Sequence, residues 1–406
     1  SIAGLYLLRG PRASLGTLGS LPFDFASSFT LSAVPMFLLM GSIVYVSGIA
    51  TALFRAARLW LSALPGGLAV AANMASAGFA AGCGSSVAAA AAMGRLAIPE
   101  MMKAGYEKGL ATGVVASAGT IAALIPPSIL MVLYGIFAET SIVDLLIAGI
   151  IPGLMTAGAY TIMIVIRCRL NPKLAPPTPY EGTELRRERW QALGEIWPLV
   201  VLVIGVIGGL YTGTVTPTEA GAAGSMLALL IAVVQRRMTF AKLWEAVRDA
   251  VMTTAQIFFV GIGALMFTRL LSFTGASAML ADLVAPMALD PLAIVVSMTV
   301  IYLILGMFLD PIGIMLITMP VFIPLLKELG FDLVWYGVLV VKFIEMGMLP
   351  PPLGFNVFVV KGVTGPEITL GTIFRGVGWF LVCDLIIVAL LIAYPQLSLF
   401  LPELMK

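Results

Sequence analysis

Long apolar stretches without a formal charge decide what this chain can fold into. No Asp, Glu, Lys or Arg occurs between Asp24 and Arg55, and none occurs between Lys108 and Glu139. A helix needs only about 20 consecutive apolar residues to cross a bilayer. With 60% hydrophobic and 11% charged residues, the chain is also more apolar than soluble domains are. These features predict an all-α polytopic membrane protein.

The composition excludes several classes of function. The chain contains no histidine, so histidine-based metal sites and histidine general bases are excluded. A net charge of +2 offers no basic patch for nucleic acid. The three cysteines lie far apart in apolar or juxtamembrane surroundings and indicate no disulfide framework. The sequence also lacks an Asp-rich motif and a phosphate-binding Gly-Lys-Ser/Thr loop, which argues against a membrane-embedded enzyme.

The polar segments between the apolar stretches predict the order of the helices. A loop is expected over 10–28, a first crossing over 30–50, and a short interfacial helix over 51–64. The most polar segment, 171–195, is predicted to form a loop and a surface helix rather than a second domain. The remaining crossings are predicted at 106–138, 145–166, 197–212, 219–235, 250–272, 333–362 and 371–395.

Two further apolar regions, 65–98 and 291–326, are interrupted by turn-forming residues and predict re-entrant helical hairpins. If both enter and leave the membrane on one side, most of the 23 Lys and Arg residues fall on a single face. The positive-inside rule makes that face cytoplasmic, so the C-terminus is predicted to be periplasmic. The opposite face then holds only Arg9, Arg12, Arg269, Lys327 and Lys406, with Arg95 and Lys342 left inside the membrane.

An internal repeat relates the two interrupted regions. A shift of 225 residues places Ile98-Pro99 on Ile323-Pro324 and Pro126-Pro127 on Pro351-Pro352. Five predicted crossings lie between the two copies, and because five is odd, the second copy is inverted. Inverted repeats are the architecture of many secondary transporters, which bind their ligands near the midplane.

The proline pairs predict two broken transmembrane helices. Each proline lacks an amide N–H and frees the carbonyl four residues earlier, so several free carbonyl oxygens lie at membrane depth. A bound alkali cation or a substrate can satisfy them. The alternative interpretation is that these prolines only kink buried helices, which membrane proteins tolerate.

The interruptions of the two hairpin regions carry polar side chains. The first, Gly82–Ser86, has small residues and two hydroxyls, which suit ligand binding but also suit close helix packing. The second, Gly306–Gly313, places Asp310 at the position of Ser85. An acidic residue inside a membrane is costly unless it is paired or functional. Asp310 can also cap the following helix, with Pro311 at its first position, and both roles can coexist.

Two other groups of polar residues have structural interpretations. Thr216-Pro-Thr-Glu219 fits a capping box at the start of a helix, and no chemistry is assigned to it. Lys342 and Glu345 are three residues apart on one predicted helix, so we expect them to pair inside the membrane. That pair either neutralises itself or takes part in transport.

Five motifs together resemble the large membrane subunit of the tripartite ATP-independent periplasmic (TRAP) transporters, the DctM-like family. They are AVPMFLLMG at 33–41, GCGSS at 82–86, IPPS at 125–128, TPTEA at 216–220 and GMFLD at 306–310. The resemblance covers essentially the whole chain. It implies an elevator-type, sodium-driven importer in the bacterial inner membrane, with Na⁺ as the coupling ion. The substrate would be an organic acid such as a C4-dicarboxylate or sialic acid.

The resemblance also implies two partners, a small membrane subunit and a periplasmic substrate-binding protein that delivers the substrate. A stand-alone sodium/dicarboxylate symporter remains the alternative, because it would share the hairpins and inverted repeats without a binding protein. The family's division into scaffold and transport parts assigns the chain as follows. Scaffold helices and an interfacial arm span 1–64; the first hairpin and broken helix span 65–138; scaffold helices, a cytoplasmic loop and an arm span 139–290; the second hairpin and broken helix span 291–362; and a C-terminal transmembrane helix spans 363–406.

The site residues follow from the same resemblance. A first sodium site is expected at Gly82, Gly84, Ser85, Ser86, Ile125, Pro126 and Ser128. A second sodium site is expected at Gly306, Asp310, Gly347, Met348, Pro350 and Pro351. Substrate contacts are expected between the two tips, from Ser86, Ser128, Asp310 and Asn356. One departure stands out, because the family commonly has Thr-Pro-Pro where this chain has Pro350-Pro351-Pro352, and a hydroxyl ligand is therefore lost.

Overall fold

A computed structural model describes residues 2–176, 183–274 and 291–405. Those residues form α-helices and short 3-10 turns, and no β-strand occurs among them. Seven of the described helical segments are long and apolar enough to cross a membrane, which agrees with the predicted all-α polytopic architecture. They are Phe29–Val46, Ile142–Leu170, Arg187–Tyr211, Pro217–Val234, Phe240–Thr274, Pro311–Glu328 and Leu370–Ala393.

The first copy of the repeat lies among nine helices. Their bounds are α1 Ile2–Ala26, α2 Ala33–Val46, α3 Ile49–Leu61, α4 Gly67–Cys83, α5 Ser86–Lys103, α6 Lys108–Gly119, α7 Ile129–Ala138, α8 Ile142–Ala148 and α9 Ile150–Leu170. The prediction of a loop over 10–28 is wrong, because α1 continues through most of it. Only Gly10 leaves helical geometry, with φ +79°, and Pro11 then fits the first turn of the helix beyond the kink.

Ten described helices follow, and they contain the second copy. Their bounds are α10 Thr183–Glu195, α11 Trp197–Tyr211, α12 Pro217–Val234, α13 Phe240–Thr274, α14 Pro291–Gly306, α15 Pro311–Glu328, α16 Leu333–Gly347, α17 Phe355–Gly362, α18 Leu370–Ala393 and α19 Gln396–Leu404. The surface helix predicted within 171–195 is α10. Residues 177–182 of that predicted loop, and 275–290 of the predicted scaffold, lie outside the described residues.

The predicted capping box is present at the start of α12. The Thr216 backbone N–H donates to Glu219 Oε2 at 2.8 Å, and the Glu219 backbone N–H donates to Thr216 Oγ1 at 3.4 Å. This exchange satisfies two backbone donors that the helix itself leaves free. The motif therefore has a complete structural explanation.

The short helix α3 is amphipathic and is held by charge pairs. Arg55 bonds Glu195 of α10 at 2.8 Å, and Arg58 bonds Glu100 of α5 at 2.9 Å. Exposed pairs of this kind contribute about 1 kcal/mol or less each. Packing adds to them, since the apolar side of α3 lies on α4. This arrangement fits the predicted interfacial helix over 51–64.

Glycines bring α6 and α18 into backbone contact. A Cβ atom added to Gly113 would lie 2.5 Å from the carbonyl carbon of Gly376. A Cβ atom on Gly376 would collide with the carbonyl oxygen of Gly109. Small residues at such positions allow helices to approach closely inside a membrane. Helix α18 is therefore packed tightly against the first broken helix.

A buried polar network joins α16, α18 and α9. Lys342 Nζ bonds Asp384 Oδ1 at 2.6 Å and donates to Thr156 Oγ1 at 3.2 Å. The Tyr160 hydroxyl also donates to the Asp384 carboxylate, at 2.7 Å. The predicted pairing of Lys342 with Glu345 is therefore wrong. Asp384 is the better partner because its neighbours supply the extra hydrogen bonds that a buried ion pair requires.

Candidate functional site

A cavity of about 520 Å³ lies where the two interrupted regions meet. One wall comes from the junction of α4 and α5, and another comes from the start of α15. Helices α2 and α13 close the remaining side. We call the two junctions the first tip (Gly84–Ser86) and the second tip (Asp310–Ile312). The sequence repeat thus brings two distant segments onto one cavity.

The first tip is built by a tight turn. Gly84 adopts φ +64° and ends α4, and Ser85 begins α5 by accepting the Ala88 backbone N–H at 3.4 Å. A side chain at Gly84 would collide with the Pro127 carbonyl oxygen. The Gly84 carbonyl accepts the Ile129 backbone N–H at 3.4 Å. The first tip therefore lies directly against the first proline break.

The first break separates α6 from α7. A 3-10 turn over Thr120–Ala123 follows α6, and the Pro126–Pro127 peptide bond is cis. Ser128 then caps α7 by accepting the Met131 backbone N–H at 3.3 Å. Ser128 is fully buried and does not line the cavity. Gly82, by contrast, faces the side chains of Val44 and Leu199 rather than the break.

The second tip repeats this design with a charged residue. Asp310 Oδ2 accepts the Gly313 backbone N–H at 3.0 Å and caps α15, and Pro311 occupies the first position of that helix. The capping interpretation of Asp310 is thus confirmed. The side chain is exposed toward the cavity rather than enclosed by protein, so its carboxylate is open to a ligand.

The end of α14, which leads into the second tip, lies next to the second break. A Cβ atom on Gly306, the last residue of α14, would lie 2.6 Å from the Gly347 Cα at the end of α16. The chain then passes through Met348 and the buried Pro350 before the cis Pro351–Pro352 bond. Each predicted pairing of a tip with a break is therefore present as a contact.

Asn356 connects the second break to the first copy. Its side chain is fully buried, and Nδ2 donates to the Ala116 carbonyl of α6 at 3.3 Å. Its Oδ1 atom has no hydrogen-bond partner among the described residues. Asn356 does not line the cavity. Of the four residues expected to contact the substrate, Ser86 and Asp310 line the cavity. Ser128 and Asn356 do not line it.

The sequence prediction left three acidic residues out of the site: Glu345, for which it proposed only a pair with Lys342, and Glu245 and Asp249, which it did not consider. Glu345 lies in the cavity wall, and Glu245 and Asp249 line the cavity from α13. The Ser42 hydroxyl of α2 donates to Asp249 Oδ2 at 2.6 Å, which ties α2 to α13. The four-residue spacing of Glu245 and Asp249 was a usable signal, because it puts both on one helix face.

The charge of the cavity is entirely negative along the described lining. Carboxylates come from Glu245, Asp249, Asp310 and Glu345, and no Lys or Arg is among the lining residues. Within the described part of the chain, no group of three His, Cys, Asp or Glu side chains is close enough to hold a metal ion. The carboxylates are thus dispersed around the cavity instead of forming one multidentate cluster.

Comparison with known proteins decides the family. Residues 10–397 match the family described as "Tripartite ATP-independent periplasmic transporter, DctM component". The chain belongs to this family. Members of the DctM family are transporter components and not enzymes, and they work with a periplasmic binding protein and usually a small membrane subunit. The resemblance inferred from five motifs is confirmed. Family membership and the apolar helices are consistent with a multi-pass protein of the inner membrane.

Several DctM-family relatives align over most of this chain. It is 35% identical to the C4-dicarboxylate TRAP transporter large permease protein DctM of Pseudomonas aeruginosa, over 94% of this chain and 88% of the relative. It is 33% identical to the sialic acid permease SiaM of Vibrio cholerae, over 93% and 87%. The ectoine permease TeaC of Halomonas elongata is 32% identical, over 100% and 93%.

A solved structure supports the fold at the level of architecture. The Alcanivorax borkumensis YdaH transporter superimposes with a TM-score of 0.66 at 16% sequence identity, covering 95% of this chain and 89% of that one. Identity at that level relates the folds alone. The DctM-family chain therefore shares its helical architecture with a transporter from which its sequence has diverged widely.

Proposed function

We propose that this DctM-family protein imports an organic acid across the inner membrane and couples the import to sodium. The observation that carries the proposal is the shared cavity, which both tips face while each tip packs against a proline-broken helix. Relatives named for C4-dicarboxylates, sialic acid and ectoine support an organic acid as the substrate class.

Sodium is proposed because the breaks offer free oxygen atoms. Prolines remove backbone N–H donors at both breaks, so carbonyl oxygens there are left without a hydrogen-bond donor. Such oxygens can coordinate a hard cation. The proposed first site comprises Gly82, Gly84, Ser85, Ser86, Ile125, Pro126 and Ser128. The proposed second site comprises Gly306, Asp310, Gly347, Met348, Pro350 and Pro351. Gly82 is the weakest member, since its Cα faces Val44 and Leu199.

An elevator mechanism is proposed from the two kinds of wall around the cavity. The tips and breaks form one packed unit, and α18 joins it through the Gly113–Gly376 contact and the Lys342–Asp384 bond. Helices α12 and α13 each pack on α2, and α2 and α13 form the facing wall. Sliding of the first unit along the second would carry the cavity across the membrane.

The partners are proposed to be a small membrane subunit and a periplasmic substrate-binding protein. The decisive experiment reconstitutes the chain with the small subunit in vesicles and adds the binding protein, loaded with a ligand found by screening. Uptake should require an inward sodium gradient, should not require ATP, and should stop when the binding protein is omitted. Uptake without the binding protein would favour the stand-alone symporter, and uptake in potassium alone would refute sodium coupling.

The orientation is proposed from the distribution of basic residues, with the C-terminus periplasmic. Lys173 and Glu403 are both exposed and are suitable reporters for the two faces. In intact cells an impermeant thiol reagent should label Glu403→Cys and leave Lys173→Cys unlabelled. The native cysteines are buried and give little background. Labelling of Lys173→Cys from outside would overturn this topology and the inverted repeat with it.

A further inference from the structure

Glu345 occupies the inner part of the cavity wall. It lies in the last turn of α16, just before the second break, and its side chain is completely buried. It nevertheless lines the cavity together with Ser86 of the first tip. The Ser86 side chain is near enough to act on this carboxylate electrostatically. Glu345 is thus a buried acid in the wall of the cavity that both tips line, next to the second break.

The nearby lysine does not neutralise Glu345. Lys342 Nζ is bonded to Asp384 at 2.6 Å and to Thr156 at 3.2 Å, on the side of α16 that faces α18 and α9. No basic side chain bonds the Glu345 carboxylate, and among the described residues the Ser86 hydroxyl is the group close enough to act on it as a hydrogen-bond donor. A buried carboxylate without a charged partner is destabilising by several kcal/mol. A bound cation would offset this cost, and protonation of the carboxylate would remove it.

The approach to Glu345 favours cations. Glu245, Asp249 and Asp310 stand along the more exposed part of the same cavity, and no basic side chain lines it within the described chain. A cleft lined by one sign of charge raises the local concentration of counter-ions. A cation that enters from water therefore meets a negative potential along its path to the inner wall.

We infer that Glu345 binds a monovalent cation, with the Ser86 hydroxyl as a second oxygen ligand. The 225-residue shift places Thr120 at the equivalent position of the first copy, so this site has no counterpart there. Glu345 belongs to neither of the two repeat-related sodium sites, although the Ser86 hydroxyl is shared with the first. A divalent ion is disfavoured because calcium takes about six to eight oxygen ligands, several of them carboxylates, and no such acidic cluster is formed by the described residues.

The inference rests on the proposed function in one respect, the choice of sodium as the cation. The test measures the melting temperature of the purified chain with its small subunit over a series of sodium concentrations. Choline chloride keeps the ionic strength constant, so that screening does not contribute. Glu345→Gln should raise the half-saturating sodium concentration by about tenfold or more, since the amide keeps the shape and removes the charge. Glu403→Gln, at an exposed and remote carboxylate, is the matched control and should leave the value unchanged.

The outcomes separate this inference from the proposed function. Sodium stabilisation that is identical in the wild type and in Glu345→Gln would overturn the inference and leave sodium coupling intact. A wild type whose melting temperature does not respond to sodium would overturn both. If Glu345→Gln cannot be purified, Glu345→Asp retains the charge and withdraws it by one methylene group. An unchanged half-saturating concentration in Glu345→Asp would then overturn the inference.

Discussion

The two copies of the repeat differ in charge at positions that share one geometry. Ser85 and Asp310 each cap the second helix of a hairpin by accepting a backbone N–H three residues later. A cap needs only a side-chain oxygen, so the fold accepts either residue. The same 225-residue shift pairs Ser117 with Lys342 and Thr120 with Glu345. At these three positions the first copy is neutral and the second copy is charged.

The two copies therefore share a backbone geometry but differ in the partners that their side chains require. In the first copy, Thr120 satisfies its hydroxyl within its own turn by donating to the Ser117 carbonyl at 2.7 Å. In the second copy, the Lys342 ammonium forms an ion pair with Asp384, which lies outside the aligned segment. A charge inside the membrane thus requires a dedicated neighbour, whereas a hydroxyl does not. We expect substitutions in the second copy to have larger effects than their counterparts in the first.

The largest expected effect is on stability and comes from Lys342→Met. Loss of the ammonium leaves Asp384 buried with only the Tyr160 hydroxyl, and breaking a buried pair in this way costs about 3–5 kcal/mol. The melting temperature of the purified protein should fall sharply. Ser117→Ala, at the equivalent position, should change it little, because the Ser117 hydroxyl has no hydrogen-bond partner among the described residues.

A double variant tests whether the loss of stability comes from the unpaired Asp384 carboxylate. Asp384→Leu combined with Lys342→Met removes both charges, and an apolar replacement of a buried pair is often neutral or stabilising. The double variant should recover most of the stability. Equal melting temperatures for the wild type and Lys342→Met would show that the ion pair contributes nothing to folding.

The next effect concerns transport and compares the two tips directly. Asp310→Asn should reduce uptake by at least about tenfold, equivalent to about 1.4 kcal/mol or more, because the amide retains much of the capping ability but not the charge. Folding and assembly with the small subunit should be unaffected. Ser85→Ala removes a cap and a proposed sodium ligand but no charge, so it should reduce uptake less than Asp310→Asn does. If Asp310→Asn transports normally with unchanged sodium dependence, Asp310 is a helix cap only.

A smaller effect is expected at the neutral copy. Ser128→Ala and Ser86→Ala should each weaken the apparent sodium affinity by about tenfold, if one ligand is worth about 1.4 kcal/mol. Ser128 also caps α7, so the loss of a cap must be controlled for. Ser141→Ala removes an equivalent cap on the exposed start of α8 and should not alter sodium dependence. An unchanged affinity in both test variants would exclude these hydroxyls from the site.

The smallest effect should come from restoring a hydroxyl to the second break. Pro350 is buried there, and a threonine at this position would supply the hydroxyl that the proline lacks. Pro350→Thr should raise the apparent sodium affinity by about two- to threefold, since a net hydrogen-bond or ligand gain of about 0.5 kcal/mol corresponds to that factor. Sodium-dependent uptake at subsaturating concentrations measures it. A lower affinity would mean that the rigid proline backbone matters more than the added oxygen.

Local chemistry explains which parts of the fold could be predicted from the sequence. The tips and breaks consist of glycine, proline and capping residues, whose preferences act over a few residues. The internal repeat predicted that the two tips would lie near each other. The partner of Lys342 could not be predicted in this way, because helical spacing points to Glu345 while Asp384 lies 42 residues away. The loop expected over 10–28 failed for a related reason, since one glycine kink allows α1 to continue past a proline.

The contact between α6 and α18 also limits how this sequence can evolve. Gly113 and Gly376 occupy positions where a single added carbon meets the opposing backbone. A backbone cannot rotate away as a side chain can, so compensating substitutions elsewhere would have to separate two whole helices. Saturation mutagenesis with selection for growth on the transported substrate should therefore recover mainly glycine at Gly113 and Gly376. Gly158 and Gly378, which have open space around them, should tolerate alanine in the same library.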